Sequence, residues 1–272
     1  MARVRLGAVG YLNARPLVYG LERSDRFDLR FDVPSRCAEL LHAGATDLGL
    51  VPSIEYLRGP EPYWIVPGPA ITSRGPVASV SLYTTRPIRD VRTIALDTSS
   101  RTSVALVRVL CAREFRIAPR LVPHGPDLPA MLAACDAALV IGDLALFEES
   151  AVEKIDLGEA WTKATGLPFV YAFWSGRPDA VTAIDVRELQ DARDQGAAHP
   201  GEVARAYFRD APARQDVGER YLRDNIRYHL GVEERAALER FYRYAAEAGV
   251  VAGADDLRFY QETDRSAGHG GA

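Results

Sequence analysis

Apolar strands and amphipathic helices alternate through the first part of this chain. The residue pattern predicts strands at 4–9, 29–33 and 47–51, with helices at 14–21 and 36–43 between them. Parallel strands need a crossover connection, which a helix usually supplies, so this order predicts a mainly parallel sheet with helices packed on its faces. A second block of the same kind begins near Thr93. The chain is therefore expected to be an α/β protein.

Composition and charge exclude several classes of protein. A length of 272 residues with 47% hydrophobic content is enough for two lobes of ordinary size. A net charge of −4, with no basic patch, excludes a nucleic-acid-binding role. We find no apolar segment that could cross a membrane and no signal peptide, and we therefore expect a cytoplasmic protein without a membrane partner. The sequence leaves a monomer and a homodimer open.

No cofactor or metal motif is present in the sequence. The five histidines and three cysteines are scattered, and none has the spacing of a metal site. Neither Lys154 nor Lys163 follows a glycine, which excludes a phosphate-binding P-loop, and the glycine pattern of dinucleotide-binding proteins is missing. We predict no metal and no cofactor.

The first candidate site is the turn Gly10-Tyr11-Leu12-Asn13-Ala14-Arg15-Pro16-Leu17, which follows the first strand. Asn13 is a favoured N-cap for the next helix, whose free N–H groups would face the carboxyl edge of the sheet. An anionic ligand could bind there, contacting Asn13 and Arg15. The alternative, which the residues leave open, is that Asn13 only caps the helix and Arg15 is solvated.

Two serines are further candidates on the same grounds. Ser53 follows the strand at 47–51 and begins another short helix, so it could contact a ligand or simply cap that helix. Ser79 lies on the alternating segment 77–83, which predicts a strand.

The second block opens with the polar run Thr98-Ser99-Ser100-Arg101-Thr102-Ser103, between a strand at 94–97 and a helix at 104–113. One hydroxyl would be enough to cap the helix. Five hydroxyl groups and a guanidinium in succession favour a loop that binds a carboxylate. The candidate ligand contacts in it are Ser100, Arg101, Thr102 and Ser103.

The strand predicted at 137–141 ends in Gly142 and Asp143, again at the edge where ligands gather in α/β sheets. Asp143 could instead be the N-cap of a helix at 144–149. From about residue 202 the apolar spacing is purely helical, and the glycine-rich tail 266–272 is predicted to be disordered.

Several of these segments, in the same order, resemble the chorismate dehydratase family of the futalosine route to menaquinone. The segments that carry the resemblance are residues 10–17, 47–53, 79–80, 95–103, 141–143 and 165–174. The resemblance covers nearly the whole chain.

This resemblance implies a fold similar to the type 2 periplasmic binding proteins, with extra C-terminal helices. Each of its two lobes would be a mainly parallel sheet flanked by helices. Lobe I would contain residues 1–85 and 175–265, and lobe II residues 86–174, with the ligand in the cleft between them.

The reaction that the resemblance implies is loss of water from chorismate, a hydro-lyase reaction that gives 3-[(1-carboxyvinyl)oxy]benzoate. Asn13 would be the catalytic residue, and a carboxylate of the substrate would help to remove the proton. The other candidates would bind the substrate: Arg15, Ser53, Ser79, Ser100, Arg101, Thr102, Ser103, Gly142 and Asp143. The alternative function is a solute-binding protein that captures a small carboxylate without chemistry.

Overall fold

Two sheets organise the fold. The computed structural model describes residues 3–261, so the tail predicted at 266–272 lies outside the described residues. Within this range the first sheet has the strand order β11-β4-β10-β3-β1-β2 and the second the order β7-β6-β8-β5-β9. The strands are β1 (Val4–Val9), β2 (Phe27–Asp32), β3 (Leu48–Pro52), β4 (Trp64–Ser73), β5 (Val80–Thr84), β6 (Thr93–Asp97), β7 (Arg120–His124), β8 (Ala137–Ile141), β9 (Glu153–Asp156), β10 (Phe169–Gly176) and β11 (Arg227–Leu230).

Helices cover both sheets and make up most of the C-terminal part. The α-helices are α1 (Pro34–His42), α2 (Arg101–Leu110), α3 (Leu128–Ala134), α4 (Gly142–Phe147), α5 (Leu157–Thr165), α6 (Ala183–Ala198), α7 (Pro200–Tyr207), α8 (Gln215–Arg220) and α9 (Val232–Glu247). The 3-10 helices are Leu12–Val18, Leu21–Arg23, Ser53–Arg58, Ile88–Asp90 and Pro212–Arg214, and π-helical turns occupy Cys111–Phe115 and Tyr221–Asn225.

The predicted α/β class is confirmed, but both sheets are mixed rather than mainly parallel. Strands β1, β2 and β3 pair in parallel, as do β6, β7 and β8. Strands β4, β10 and β11 pair antiparallel in the first sheet, and β5 pairs antiparallel with β8 and β9 in the second. Strands β5 and β10, which take part in most of the antiparallel pairs, are each the first strand after the chain crosses from one sheet to the other.

The predicted lobe boundaries place each of two strands in one lobe, whereas that strand pairs within the sheet of the other lobe. Strand β5 was expected in lobe I and pairs within the second sheet, whereas most of β10 was expected in lobe II and pairs within the first. We therefore use lobe I for residues 3–73 and 169–261 and lobe II for residues 80–165. Segments 74–79 and 166–168 join the lobes.

The C-terminal part is not purely helical as predicted. Strand β11 joins the edge of the first sheet beside β4. Its residues alternate between exposed and buried, with Tyr228 and Leu230 facing inward. An alternation of period two suits a strand with one buried face, and it overrides the helical spacing found across a longer window.

An aromatic cluster joins the two lobes. Trp161 of α5 in lobe II packs edge-on against Phe169 of β10 and Phe241 of α9, with ring centroids 5.3 and 5.9 Å apart. Phe169 and Phe241 also contact each other at 4.9 Å. All three side chains are almost fully buried. Aromatic contacts of this kind stabilise by about 0.5–1.5 kcal/mol each, so this cluster anchors the lobes to each other.

Candidate active site

A cleft lies between the lobes, where strand ends from both sheets meet. The space between its walls is about 500 Å³, open solvent at its mouth included. Asn13 and Ser79 approach it from one side, and Ser100, Thr102 and Ser103 from the other. Most other lining groups are apolar. No charged side chain is among the described residues that line it.

Asn13 lies in the cleft wall but does not cap a helix. It is inside the 3-10 helix Leu12–Val18, whose N-cap is Tyr11 and has no capping side chain. Pro16 accounts for the difference, because its ring nitrogen cannot donate a helical hydrogen bond and its ring disfavours a regular α-turn at this place. The Asn13 amide is therefore released from a capping role, and its Oδ1 is buried without a hydrogen-bond partner among residues 3–261.

The hydroxyl of Tyr221 lies directly behind the cleft surface. It is 2.7 Å from the Ser79 hydroxyl, and the Asn13 side chain lies beside it. Burial raises the pKa of Tyr221 far above its ordinary value, and the hydrogen bonds to Ser79 and Asn13 oppose that rise only in part. The phenol therefore stays protonated and can donate a hydrogen bond at any physiological pH.

Ser79 sits in the first segment that joins the lobes. The Asp156 carboxylate accepts hydrogen bonds from the N–H groups of Val77 and Ala78, at 3.0 and 2.7 Å. Ala78 has a φ of +63°, a left-handed conformation that costs an alanine roughly 1–3 kcal/mol. The Ser79 carbonyl in turn accepts from Gly142 N at 2.8 Å. This turn therefore fixes Ser79 from both sides.

The polar run forms the start of α2, three residues earlier than predicted. Ser100 is the N-cap, and its hydroxyl accepts from the Ser103 N–H at 3.3 Å and donates to the Ser103 hydroxyl at 2.8 Å. One hydroxyl thus does cap the helix, as the alternative interpretation of the sequence held. Ser100, Thr102 and Ser103 nevertheless all line the cleft, together with the N-terminal end of the helix.

Ser53 supports the cleft from behind. Its hydroxyl is buried, donates to the Val170 carbonyl at 2.8 Å and lies 3.4 Å from the Thr102 hydroxyl, which also accepts from Ile54 N. It does not line the cleft. Nor does it cap the helix that follows, whose N-cap is Pro52.

The structure does not bring the two predicted arginines to the cleft. Arg101 donates to Glu55 at 2.7 Å and to Glu39 at 2.9 Å, both in the other lobe. Arg15 donates to the Gly10 carbonyl and stacks over the Phe31 ring at 4.0 Å. Arg101 thus pairs the two lobes, whereas Arg15 packs within its own.

Gly142 lines the cleft, but Asp143 points between the lobes. Gly142 has a φ of +67°, and a Cβ there would lie 3.2 Å from the Tyr11 ring. Asp143 is in the first turn of α4 and does not cap it, since Ile141 is the N-cap. Its carboxylate accepts from Leu12 N at 3.4 Å and from the Tyr207 hydroxyl. Burial raises the pKa of Asp143, and these hydrogen bonds partly oppose the rise.

The lobes are closed on each other at the mouth of the cleft. Ser35 N donates to the Ser99 carbonyl at 3.1 Å, and the hydroxyls of Tyr11 and Ser99 are 3.4 Å apart. Each pair joins lobe I to lobe II, as the Asp143 and Arg101 contacts also do. Polar contacts of this kind can break and re-form as a substrate enters.

Three tyrosines of the site are missing from the sequence-based candidates. Tyr11 lies within the motif that contains Asn13 and could have been found there. Tyr171 lies in segment 165–174, which carries the family resemblance, and it lines the cleft while its hydroxyl is 3.0 Å from that of Ser73. Tyr221 carries no signal in the sequence beyond a helical apolar spacing.

The described part of the chain contains neither a metal cluster nor a membrane-spanning helix. Within residues 3–261, no group of three or more His, Cys, Asp or Glu side chains is placed to hold a metal ion. None of the helices in this range is long and apolar enough to cross a membrane.

The architecture of the chain is similar to that of known two-lobed proteins. A protein from Archaeoglobus fulgidus superimposes with a TM-score of 0.76 at 16% identity, covering 92% of this chain and 98% of its own. The periplasmic aliphatic sulphonate binding protein of Escherichia coli gives 0.68 at 15% identity, covering 99% of this chain and 96% of its own. At such low identity these likenesses show the fold alone, which is the predicted periplasmic-binding-protein-like one.

Sequence comparison is more specific. A chorismate dehydratase of Thermus thermophilus is 32% identical over 259 residues, covering 87% of this chain and 93% of its own. The model of a family described as "Menaquinone biosynthesis" matches residues 4–247. These matches extend over both lobes and every wall of the cleft, and the chain belongs to the menaquinone biosynthesis family.

Proposed function

We propose that this protein is a chorismate dehydratase, a hydro-lyase that removes water from chorismate to give 3-[(1-carboxyvinyl)oxy]benzoate. The 32% identity to the Thermus thermophilus enzyme, across both lobes, supports the substrate. The structural observation that carries the proposal is Asn13, which offers an unpartnered amide oxygen inside a closed cleft with no charged side chain among its described lining residues. We propose the cytoplasm as the site of this biosynthetic step.

The carboxylates of chorismate would bind at the start of α2. The first N–H groups of a helix have no internal partner, and the helix dipole adds partial positive charge there. Serine hydroxyls at Ser100 and Ser103 line the same place and can donate further hydrogen bonds. Since no arginine or lysine is among the described lining residues, these N–H and hydroxyl groups would receive the carboxylate.

Asn13 would contact the reacting side of the ring. The Tyr221 hydroxyl lies beside its amide, and the unpartnered Oδ1 would be free to meet the substrate. An amide both donates and accepts hydrogen bonds, so it can hold the hydroxyl that leaves while orienting a carboxylate beside it. Holding the reacting groups together in a cleft that excludes water can supply a large part of the acceleration.

Proton removal would fall to a carboxylate of the substrate. No Asp, Glu or His is among the described lining residues, and Asp143 is engaged by Tyr207 and Leu12 outside the cleft. The C–H bond on the ring carbon that bears the enol ether breaks, and the proton passes to the carboxylate. The electron pair forms the new ring double bond as the neighbouring C–O bond breaks, and the departing hydroxide takes that proton from the carboxylic acid and leaves as water. Aromatisation of the ring drives the step.

The test is incubation of the purified protein with chorismate in the presence of a chelator, with product mass as the readout. The proposal predicts complete conversion to a species one water lighter. Binding of chorismate without conversion would instead identify a solute-binding protein. The absence of both binding and conversion would rule out chorismate as the ligand.

A further inference from the structure

Tyr221 connects two cleft residues that come from distant parts of the chain. It begins the π-helical turn Tyr221–Asn225 after α8 and is only 3% exposed. Its hydroxyl is 2.7 Å from that of Ser79, in the segment that joins the lobes, and it lies beside the side chain of Asn13, in the first 3-10 helix.

The Asn13 amide depends on this contact for its orientation. The terminal torsion of asparagine is broad and not fixed by a staggered rotamer, so an isolated amide can present either edge to the cleft. A phenol oxygen that accepts from the amide N–H selects one edge and leaves Oδ1 on the other side. In the structure Oδ1 is buried and has no hydrogen-bond partner among the described residues, which agrees with this arrangement.

The phenol is itself held at its far end. Its hydroxyl lies 2.7 Å from that of Ser79, and a hydroxyl can donate to one group while it accepts from another. Ser79 in turn belongs to the strained turn that Asp156 fixes through Val77 and Ala78. The chain of contacts therefore runs from a buried carboxylate of lobe II through Tyr221 to the amide in lobe I.

We propose that Tyr221 is a positioning residue for the reaction, because its hydroxyl, held by Ser79, sets the edge of the Asn13 amide that meets the substrate. It does not touch the substrate itself. This inference rests on the proposed function for its kinetic consequences, but the contact that it describes can be tested without any substrate.

The kinetic test compares Tyr221→Phe with Tyr228→Phe. Tyr228 is also buried, and its hydroxyl has no hydrogen-bond partner among residues 3–261, so the control removes an equally buried oxygen that orients nothing. We expect Tyr221→Phe to lower kcat for chorismate about 10- to 100-fold with KM within about threefold of the wild type, consistent with the loss of a group that only orients. Tyr228→Phe should leave both constants within about twofold.

The second readout uses the fact that the chain contains only two asparagines, Asn13 and Asn225. Selective ¹⁵N-asparagine labelling therefore gives two side-chain NH₂ pairs, and Asn13→Ala identifies the pair of Asn13. We expect Tyr221→Phe to shift or broaden that pair and to leave the pair of Asn225, which bonds the Pro76 carbonyl. Tyr228→Phe should leave both pairs in place.

The outcomes separate the two proposals. The positioning role would be overturned if Tyr221→Phe lowered kcat no more than Tyr228→Phe does. It would also be overturned if the side-chain NH₂ signals of Asn13 did not move in Tyr221→Phe. In another outcome, the wild type does not convert chorismate, while the Asn13 NH₂ signals still respond to Tyr221→Phe. That result would overturn the proposed dehydratase function and support the contact between Tyr221 and Asn13.

Discussion

The two walls of the cleft are built in different ways. The lobe II wall is the start of α2, where Ser100, Thr102 and Ser103 are neighbours in sequence and Ser100 hydrogen-bonds to Ser103. The lobe I wall depends on Asn13, and its proposed positioning residue, Tyr221, comes from a distant part of the chain. A wall made by one helix start suits the binding of a charged group. A wall assembled from distant residues can place a single amide where the bonds change.

This contrast predicts that substitutions in the lobe I wall lower kcat, whereas substitutions in the lobe II wall raise KM. The largest effect is expected at Asn13. Asn13→Ala should reduce kcat at least about 1,000-fold while the affinity for the product stays within about threefold, because the amide acts on the reacting groups. Asn225→Ala is the matched control, since its side chain bonds Pro76 outside the cleft. Turnover of Asn13→Ala near that of the wild type would remove Asn13 from the mechanism.

A second prediction concerns the glycine at which the walls meet. Gly142→Ala places a Cβ against the Tyr11 ring and should raise KM about tenfold by hindering closure. Gly166→Ala is the control, because Gly166 has a similar φ of +72° and no atom within 4 Å of the added Cβ. Both variants should lose about 1–2 kcal/mol of stability from the left-handed backbone. Equal KM values in steady-state assays of the two would show that the Tyr11 contact does not matter.

A smaller effect is expected from the helix cap itself. Ser100→Ala removes the cap of α2 and should raise KM about fivefold with little change in kcat. Asp127→Ala removes the corresponding cap of α3, which is not part of the cleft lining. Each loss should cost about 1 kcal/mol of unfolding free energy, measured by urea denaturation. If Ser100→Ala changed kcat instead of KM, the division between the walls would be wrong.

The smallest predicted effect is a pH dependence of stability at Asp143. Burial raises the pKa of Asp143 above its value in the unfolded chain, so the folded state holds its proton more tightly. Its contribution to stability therefore grows as the pH falls through the raised pKa toward about 3.9, and it is absent in Asp143→Asn. Urea unfolding between about pH 7 and about pH 4 should show the wild type gaining stability relative to the variant. A relative loss would contradict the direction of the pKa shift.

The sequence predicts local features of the site better than tertiary ones. The polar run at 98–103 predicts a helix start that faces the sheet edge, because hydroxyl side chains there satisfy free N–H groups. The two-lobed α/β fold follows from the alternation of strands and helices together with the family resemblance. What the sequence shows of Tyr221 is a helical apolar spacing, which fits any buried tyrosine. Its pairing with Asn13 exists only once the chain has folded.

The charged candidates show a second limit. Arg15, Arg101 and Asp143 stand in segments that reach the cleft, yet each side chain turns to a partner outside it. Burial explains the choice, because a charge leaves water only where a partner compensates the cost. Local sequence shows that such a residue is near the site, but only the surrounding packing decides which way it points.

The most direct test of this account is a crystal structure of the protein with 3-[(1-carboxyvinyl)oxy]benzoate bound. The account predicts one product carboxylate within hydrogen-bond distance of the N–H groups at the start of α2, and the Asn13 amide against the ring carbon that lost its hydroxyl. A product whose carboxylates bind Arg15 or Arg101, with Asn13 left without contact, would contradict it.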